Sequence, residues 1–338
     1  MAETMRTWRY GKLTGKLEDF LVRTEAAPCP EEKSLTENQI IVEVITAALN
    51  PVDFKLPESG WVGEVMIKRP ATPGLDYCGR VVAKHPSNSS VAIGHLVFGG
   101  LPGGGQWGTV GQRTLTTMTE CTILPKTIDP DHAAAVGTAA TTAYQSVLFH
   151  VKEGDKVFIN GGSGGVGTWA IQFAKVKGAE IVVSCSTANV ALCKQLGADE
   201  VIDYKKADLF GRLKAYGQVF DVVIDNVGST EVYDNRLLYL KAGGCFVQVG
   251  TPMTNSFMLN LALRQFWPTI LNHGQRRFNF VRQNNASEYF QQIGQWMVDG
   301  RVRAVIDEKF DWENVPAALA KLRRGRTQGK IVIQVGEI

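Results

Sequence analysis

Two patterns of hydrophobic residues divide the chain. Up to about residue 125, short apolar runs at 39–45, 79–83 and 94–98 are separated by segments rich in Gly and Pro. Beyond that point, nearly all-apolar runs alternate with segments of helical periodicity, and the predicted strands are 156–160, 180–185, 200–203, 221–225 and 245–249. Such alternation is typical of a parallel sheet with helices on both faces. The pattern predicts a β-rich domain followed by a doubly wound α/β domain of the Rossmann type.

The end of the chain combines both patterns. Helices are predicted at 287–299 and 312–323, a strand at 302–306 and a last strand at 329–334. We expect the last strand to return to the sheet of the first domain, which would then be discontinuous. The predicted domains are residues 1–125, completed by 270–338, and residues 126–269. A helix is expected over 131–144, at the start of the second domain.

A glycine-rich turn separates the strand 156–160 from a predicted helix. Read from Gly162, it has the spacing G-x-G-x-x-G, and its residues are Gly162, Ser163, Gly164, Gly165, Val166 and Gly167. Gly162 is expected to allow the tight turn, Gly164 to leave room for a pyrophosphate, and Gly167 to let the helix pack against the strand. Free N–H groups at the helix start would face the phosphates. The turn therefore predicts a dinucleotide site.

The residues after the second strand indicate which nicotinamide cofactor is bound. An NAD site places Asp or Glu about 20 residues after the first glycine, to accept hydrogen bonds from the ribose. Residues 184–189 of this chain read SCSTAN and contain no acid. The hydroxyl of Ser186 and the amide of Asn189 can donate to a 2′-phosphate, and Tyr204, Lys205 and Lys206 could add a phenol and positive charge. We predict NADPH, although Ser186 and Asn189 could also cap the next helix.

Charge and cysteine usage exclude several other classes of protein. The formal net charge of +3 does not favour nucleic acid or an acidic membrane as a partner. The six cysteines are scattered without a C-x-x-C pair, so neither a zinc lobe nor a disulfide scaffold is predicted. No apolar run reaches the roughly 18 residues of a spanning helix, and the first 20 residues contain no signal-peptide core. We expect a cytoplasmic protein.

Several stretches together resemble the zinc-independent branch of the medium-chain dehydrogenase/reductase superfamily, the quinone oxidoreductase and enoyl reductase group. The matching pieces occur in family order along nearly the whole chain: NPVDFK at 50–55, PGLDYCGRV at 73–81, AAA at 133–135, TTAY at 141–144, the glycine turn, LGADEVIDY at 196–204, DNVG at 225–228 and GKIV at 329–332. The overall sequence is also similar to plant quinone oxidoreductase homologues and fungal stand-alone enoyl reductases.

The resemblance implies that the β-rich domain is GroES-like and that hydride transfer occurs between it and the Rossmann domain. It implies that Asn50 and Asp53 lie near the nicotinamide, with Thr141 beside its ring. It also implies that Asn226, Gly250 and Lys330 line the cofactor, and that Ser186, Asn189 and Tyr204 surround the 2′-phosphate. From the residues alone, Asp53 is at least as well explained as a turn residue that holds the backbone.

Comparison with the zinc-dependent relatives predicts a site without metal. Those relatives carry a cysteine at the position of Asn50, a Gly-His-Glu where this chain has residues 74–76 (GLD), and a four-cysteine lobe that this sequence lacks. Zinc needs three or four N, S or O ligands that converge on one point. We therefore expect no metal, and direct transfer of hydride from NADPH to an electron-poor carbon.

A C=C bond conjugated to a carbonyl suits such a transfer, because the enolate that forms needs only one or two hydrogen-bond donors. Lys55 is the first candidate for the proton donor, since the resemblance places it near the reaction and partial burial would lower its pKa. Tyr77 and Thr141 are alternatives, and solvent or a ribose hydroxyl could also supply the proton. Trp61, Trp107, Phe266 and Trp267 could line an acyl pocket or pack in the core.

The sequence thus predicts an NADPH-dependent reductase of α,β-unsaturated carbonyl compounds, with quinones as further substrates. One alternative is an enoyl reductase that acts in trans for a polyketide synthase on carrier-bound thioesters, whose phosphate could meet the arginines at 276–277 and 323–326. The other is an NADPH-binding protein without turnover, with a structural or RNA-binding role. A homodimer is the favoured assembly, and neither nucleic acid nor a membrane is expected as a partner.

Overall fold

The computed structural model describes residues 3–250, 264 and 276–337. The chain forms two compact units, Met1–Thr141 with Asn284–Ile338, and Thr142–Gln283. The expected boundaries were 125/126 and 269/270. The second boundary lies later because strand 277–280 pairs within the second unit, and the first lies later because residues 130–134 pack on the strands of the first unit.

Strands make up the sheets of both units. In chain order they are β1 (Thr4–Arg9), β2 (Val22–Pro28), β3 (Gln39–Leu49), β4 (Asp76–Lys84), β5 (Leu96–Gly100), β6 (Arg113–Thr117), β7 (Cys121–Ile123), β8 (Lys156–Asn160), β9 (Glu180–Cys185), β10 (Glu200–Asp203), β11 (Phe220–Asp225), β12 (Leu240–Gln248), β13 (Arg277–Phe280), β14 (Ile306–Asp311) and β15 (Lys330–Gln334).

Most helices are short. In the described part of the chain they are α1 (Val52–Lys55), α2 (Trp61–Met66), α3 (Pro130–Ala134), α4 (Gly137–Leu148), α5 (Gly165–Val176), α6 (Val190–Gln195), α7 (Leu209–Tyr216), α8 (Thr230–Asp234), α9 (Ser287–Val298) and α10 (Val315–Arg323). No helix among the described residues has the length and apolar character needed to cross a bilayer.

The first unit is a β-rich domain, as predicted. Its main sheet has the order β14-β15-β3-β4-β5-β7, with β6 also paired to β3, and β1 and β2 form a separate pair. The last strand, β15, pairs antiparallel with β3 through Ile331 opposite Leu49. The end of the chain thus joins the sheet of the first unit. A core of buried aliphatic and aromatic residues, with Tyr77 and Trp312 among the largest, lies beneath the sheet.

The second unit contains the parallel sheet that the apolar runs predict. Its order is β10-β9-β8-β11-β12-β13, and all five pairings are parallel. Strand β8 has β9 on one side and β11 on the other, so the direction of winding reverses next to β8. Ligands of doubly wound sheets bind at the carboxyl ends of the strands at this switch point. The glycine-rich turn follows β8 and therefore lies there.

Three predicted elements differ from the observed ones. The helix expected over 131–144 is interrupted, because α3 ends at Ala134 and α4 begins at Gly137. A Cβ atom on Gly137 would lie 2.0 Å from Cγ of Asp76, so only glycine permits this approach. The strand expected over 302–306 is instead β14, because Ile306 is where pairing with β15 begins. The segment 230–240, between two predicted strands, is also predicted to be a helix, but α8 ends at Asp234 and is followed by a 3₁₀ turn.

Candidate active site

In the second unit, the turn between β8 and α5 is built for close approach of backbone to backbone. A Cβ atom on Gly167 would lie 2.1 Å from the carbonyl oxygen of Gly161 and 2.7 Å from the carbonyl carbon of Gly162. No side chain can be accommodated at that distance, so α5 packs against the turn only because residue 167 is glycine. This is the packing role that the spacing of the motif predicts.

The tight turn itself depends on a different glycine from the one predicted. Gly161 has a φ of +80°, a conformation that favours glycine, whereas Gly162 does not have a positive φ. Gly162 is restricted by its neighbours instead, since its Cβ would lie 3.0 Å from Cβ of Val183 on β9. The left-handed residue of the turn is therefore one position earlier than the sequence motif suggests.

The start of α5 presents an open surface. Gly164 is the N-cap residue, and the nearest heavy atom to a Cβ placed there would be 4.0 Å away. The N–H groups of the first helical turn, from Gly165, Val166 and Gly167, have no acceptor within the helix itself. Together with the positive end of the helix dipole, they form a site of the kind that binds phosphate.

Three predicted polar residues meet beside this turn. The amide of Asn189 donates to the hydroxyl oxygen of Ser163 at 2.8 Å and to that of Ser186 at 3.2 Å. Asn189 is buried, and its Oδ1 has no hydrogen-bond partner among the described residues. The cluster therefore combines two hydroxyls and an unpaired amide oxygen at the carboxyl end of β9. The two hydroxyls can donate to a phosphate on the adenosine ribose of a dinucleotide, and the amide oxygen can accept from a ribose hydroxyl.

Tyr204 lies at the end of the neighbouring strand. Strand β10 runs beside β9 with Asp203 opposite Cys185, and the N–H of Tyr204 donates to the carbonyl of Cys185. Tyr204 is 46% exposed, and the ammonium of Lys205 lies 5.6 Å from the centre of its ring. Tyr204 and Ser186 thus follow adjacent parallel strands, as the prediction requires.

A buried network that the sequence did not reveal joins the strand ends of this sheet. Asn160 donates to Asp225 at 2.9 Å and accepts from the hydroxyl of Ser184 at 2.6 Å. Asp225 also accepts backbone N–H groups of residues 227, 228 and 229. Burial raises the pKa of Asp225, while these hydrogen bonds oppose the rise. The sequence signal for this network was the polar residue near the carboxyl end of each of two apolar strands, Asn160 in β8 and Ser184 in β9.

The network holds Asn226 and Gly250 next to each other. A Cβ on Gly250 would lie 2.4 Å from the carbonyl oxygen of Asn226, and the N–H of Gly250 donates to the carbonyl of Asp225. Both the Nδ2 and Oδ1 atoms of Asn226 are buried without a partner among the described residues. Leaving such atoms unpaired is costly, so they mark a place where a polar ligand group would bind.

In the first unit, three strand ends bring together a different set of polar side chains. Asn50 follows β3, Asp76 begins β4 and Lys330 begins β15. The ammonium of Lys330 lies 2.5 Å from Oδ1 of Asn50, 2.9 Å from the carbonyl oxygen of Leu49 and 3.0 Å from Oδ2 of Asp76. The amide of Asn50 donates to the same carboxylate oxygen at 2.8 Å. All three N–H groups of Lys330 therefore have acceptors inside the protein.

The break between α3 and α4 completes this cluster. Both the N–H and the hydroxyl of Thr138 donate to Oδ1 of Asp76 at 2.7 Å. Thr141, one turn further along α4, is fully buried and donates to the carbonyl of Gly137 at 2.9 Å. Asp76 is thus held from both sides, by Thr138 on one oxygen and by Lys330 and Asn50 on the other.

Asp53 lies next to this cluster at the start of α1. Its Oδ2 accepts the N–H of Asn50 at 2.7 Å, which is the turn-holding role that the residues alone suggest. Its Oδ1 is buried without a partner among the described residues. Burial raises the pKa of Asp53 to about 8, and the nearby carboxylate of Asp76 contributes to the rise.

The predicted proton donors have contrasting environments. Lys55, at the end of α1, is half-buried, and burial lowers the pKa of its ammonium as predicted. Tyr77 is fully buried in the hydrophobic core, and burial raises the pKa of its phenol well above its usual value. Because the Tyr77 phenol lies in the core and its raised pKa opposes release of the proton, we do not retain Tyr77 as a donor. Thr141 is equally buried and its hydroxyl already donates to the carbonyl of Gly137, so we do not retain it as a proton donor either.

The four aromatic residues considered for a substrate pocket also differ in their environments. Trp61 on α2 is 75% exposed, and Trp107 contributes to the wall of a cavity in the first unit. Phe266 and Trp267 lie outside the described residues.

Across residues 3–250 and 276–337, no group of three His, Cys, Asp or Glu side chains has the arrangement of a metal site. At the positions where zinc-dependent relatives carry ligands, this chain has Asn50 and Leu75.

Comparisons with known proteins agree with both units. A family model described as "Alcohol dehydrogenase GroES-like domain" matches residues 36–144, and one described as "Zinc-binding dehydrogenase" matches residues 196–333. The chain is 41% identical to the trans-enoyl reductase pgmF of Aspergillus terreus, over 99% of this chain and 97% of that protein. It is 30% identical to the human mitochondrial NAD(P)H oxidoreductase RTN4IP1, over 88% of this chain and 82% of that protein. The quinone oxidoreductase structure from Coxiella burnetii superposes with a TM-score of 0.85 at 27% identity, covering 99% of this chain and 100% of that one.

Proposed function

Because the chain belongs to the medium-chain dehydrogenase/reductase superfamily, in its enoyl and quinone reductase group, we propose that it reduces α,β-unsaturated carbonyl compounds by direct transfer of hydride from NADPH, without a metal. That it is an oxidoreductase with a nicotinamide cofactor, of the enoyl or enone reductase type, follows from the family. The choice of NADPH, the absence of a metal step and the substrates are our proposals.

The preference for NADPH rests on the cluster of Ser163, Ser186 and Asn189. The two hydroxyls can donate to a 2′-phosphate while the amide of Asn189 holds them in place, and residues 184–189 contain no carboxylate to repel it. Asp203, at the end of the neighbouring strand β10, accepts the backbone N–H of Lys205. A positively charged lysine beside Tyr204 further favours an additional phosphate.

A reaction without metal is supported by the chemistry of the donor set in the first unit. Asp76 is paired with the Lys330 ammonium at 3.0 Å, and Asn50 and Leu75 provide neither thiolate nor imidazole. The ammonium of Lys330 thus already supplies a positive charge beside the carboxylate of Asp76. The arrangement favours a role for Lys330 and Asp76 in fixing the side chain of Asn50.

When bound, NADPH supplies the hydride, and the chain supplies position and a proton. The first turn of α5 would hold the pyrophosphate through its N–H groups, with Gly164 leaving the space it requires. Asn50, oriented by Lys330 and Asp76, and Thr141 would contact the nicotinamide end. Lys55 would deliver the proton that completes reduction, because its partly buried ammonium gives up a proton more readily than an exposed one.

The experiment that tests this function follows NADPH oxidation, with NADH in parallel, across short enones, quinones and enoyl thioesters in the presence of EDTA. We expect turnover that prefers NADPH and does not respond to EDTA. A preference for NADH, or loss of activity with EDTA that added zinc restores, would contradict the proposal. Tight NADPH binding without turnover on any substrate would favour the alternative of a binding protein.

The role of Lys55 has its own test. In Lys55→Met we expect kcat to fall by roughly 10²–10⁴-fold, the usual contribution of a positioned acid, while NADPH affinity is retained. Lys12→Met, which removes an exposed lysine, is the control and should leave kcat unchanged. A normal kcat in Lys55→Met would assign the proton to solvent or a ribose hydroxyl.

A second candidate function is reduction of carrier-bound enoyl thioesters in trans, favoured by the 41% identity to a trans-enoyl reductase. Of the arginines considered for a carrier phosphate, Arg323 forms ion pairs with Glu18 and Glu58, and Arg276 is buried with its Nε on the carbonyl of Leu240. Arg324 and Arg326 are exposed. Faster turnover of a carrier-bound than of a free enoyl thioester, lost in Arg324→Gln/Arg326→Gln, would support this function.

A further inference from the structure

Arg323, the last residue of α10, is enclosed by two carboxylates and an aromatic ring. Its guanidinium donates two hydrogen bonds to the carboxylate of Glu18, at 2.6 and 2.7 Å, and two to that of Glu58, the longer at 3.0 Å. Its central carbon atom lies 4.1 Å from the centre of the Phe54 ring. Only the planar fork of arginine combines bidentate pairing with stacking on a ring. These contacts together fix the guanidinium in one orientation.

The helix that carries Arg323 is anchored in the core of the first unit. The residues of α10 that are buried in this core are Val315, Ala318, Leu319 and Leu322. The Arg323 side chain is 23% exposed, and those of Glu18 and Glu58 are 9% and 21% exposed. An arginine on a buried helix, largely shielded from solvent, can hold another segment in place, whereas a mobile surface arginine cannot.

The segment that Arg323 holds is residues 52–58, which begins with α1. Phe54 is the third residue of α1, and the N–H of Glu58 donates to the carbonyl oxygen of Phe54 at 3.1 Å. Because Phe54 and Glu58 are four positions apart, they lie on the same face of this turn. Glu58 also accepts the backbone N–H of Leu17 at 2.6 Å. Arg323 therefore contacts one face of the segment at two points.

Lys55 lies between these two points. It follows Phe54 directly, and its side chain is half-buried. The N-terminal end of α1 is held separately, since Oδ2 of Asp53 accepts the N–H of Asn50 at 2.7 Å. A helix of one turn has too few internal hydrogen bonds to keep its shape alone. The position of Lys55 therefore depends on contacts from outside the helix, and on its C-terminal side Arg323 supplies them.

We propose that Arg323 is a positioning residue for proton transfer, because through Phe54 and Glu58 it fixes the turn from which Lys55 acts. The inference rests on the proposed function, in which the enolate left by hydride addition takes a proton at carbon and the Lys55 ammonium becomes an amine. A proton is transferred only over hydrogen-bond distance, and a displacement of about 1 Å can lower a rate about 10²-fold. Arg323 acts through Lys55 and does not itself touch the substrate.

A double-mutant cycle separates positioning from general support of the fold. We expect Arg323→Gln to lower kcat for an enone by roughly 10–100-fold. In the Lys55→Met background the same change should lower kcat by no more than about twofold, because the group that Arg323 positions is already absent. A residue that only supported the fold would lower kcat by the same factor in both backgrounds. Lys321→Gln removes ion pairs of the same helix with Asp307 and Glu308, and as the control it should leave kcat unchanged.

Two further measurements apply even if Arg323→Gln is poorly stable. Arg323→Lys keeps the charge but not the fork, so its kcat should lie between those of the wild type and Arg323→Gln. Amide hydrogen exchange, which does not depend on turnover, should be faster over residues 52–58 in both variants. The strands of the second unit should exchange as in the wild type, and the dissociation constant of NADPH should not change.

The inference is overturned if Arg323→Gln keeps a normal kcat, if it lowers kcat equally with and without Lys55, or if exchange over residues 52–58 is unchanged. Failure of the proposed function gives a different pattern. A normal kcat in Lys55→Met alone would remove the proton-donor role, and the absence of enone reduction in the wild type would remove the function. In both cases the positioning role of Arg323 is lost as well, while faster exchange over 52–58 would still show that Arg323 fixes this segment.

Discussion

The two polar sites of this protein hold their geometry by opposite means. At the glycine turn of the second unit the shape is set by backbone, and Gly167 leaves no space for even a methyl group next to Gly161. At the strand ends of the first unit the shape is set by charge, through a buried lysine paired with Asp76 and Asn50. The first site should therefore be sensitive to added volume and the second to the loss of one charged group.

The sites also differ in how fully their polar atoms are paired. Lys330 uses its three donors inside the protein, and Asp76 accepts on both oxygens. In the second unit, Asn189 Oδ1 and both polar atoms of Asn226 are buried without a partner among the described residues. A set of polar groups whose hydrogen bonds are all made maintains structure, whereas a set with unpaired donors or acceptors can bind a ligand. Beside the cluster of the first unit, Asp53 keeps one carboxyl oxygen, Oδ1, buried without a partner among the described residues.

The largest effect should come from breaking the buried ion pair. Lys330→Met leaves the Asp76 carboxylate buried without its cation, which we expect to lower the free energy of unfolding by about 3–5 kcal/mol. Denaturant titration measures this change. Adding Asp76→Leu to Lys330→Met removes the uncompensated charge and should recover part of the loss. A single variant as stable as the wild type would show that the cluster does not depend on charge pairing.

The next largest effect should come from the cluster of Ser163, Ser186 and Asn189 at the carboxyl end of β9. Ser186→Asp introduces a carboxylate where we place the 2′-phosphate, and we expect NADPH affinity to fall by roughly 10–100-fold, or about 1.4–2.8 kcal/mol. NADH affinity should stay equal or rise, because a carboxylate can accept hydrogen bonds from ribose hydroxyls. Ser89→Asp adds the same charge at an exposed position of the first unit and should change neither affinity. Equal losses for both cofactors in Ser186→Asp would argue against NADPH specificity.

Adding one methyl group at two glycines separates packing from binding. Gly167→Ala forces a Cβ to within 2.1 Å of the Gly161 carbonyl oxygen, and overpacking of this kind costs roughly 1–3 kcal/mol of stability. Gly164→Ala meets nothing nearer than 4.0 Å, so its thermal midpoint should stay close to that of the wild type. Its added methyl would nevertheless occupy space that the pyrophosphate needs, and NADPH affinity should fall. If Gly164→Ala bound NADPH normally, the phosphates would not approach the turn there.

These differences explain which features could be predicted from the sequence. The glycine turn, the parallel strands and the Ser186–Asn189 cluster arise from neighbouring residues, so periodicity and spacing were sufficient. The domain return of β15 was also predicted, because an apolar strand must pair with a sheet. Even within the turn, however, the motif did not distinguish Gly161, which has the positive φ, from Gly162, which is restricted by Val183, a residue far away in the sequence.

The cluster in the first unit could not be derived from spacing. Asn50 and Lys330 are 280 positions apart, and Asp76 and Thr138 are 62 apart. The resemblance indicated Asn50 and Lys330 individually, but not that one orients the other. The role of Gly137 was missed because the segment 131–144 starts like a helix, with an acidic first turn, and has small residues throughout, so one more glycine did not stand out. Only the proximity of Asp76 explains why the helix is broken there. Similarly, the sequence allowed Tyr77 as a proton donor, and only the fold shows that its side chain lies in the hydrophobic core.

The smallest effect provides the control for the ion-pair argument. Lys156 and Glu180 form a lysine–carboxylate pair at 2.5 Å in the second unit, but their side chains are 23% and 55% exposed, against 3% and 0% for Lys330 and Asp76. Solvent screens an exposed pair and stabilises either partner alone, so Lys156→Met should cost less than about 1 kcal/mol. If denaturant titration gave Lys156→Met the same loss as Lys330→Met, burial would not be what makes charge decisive in the first unit. A small loss at Lys156 beside a large one at Lys330 would assign the difference to desolvation, because the two pairs join the same chemical groups.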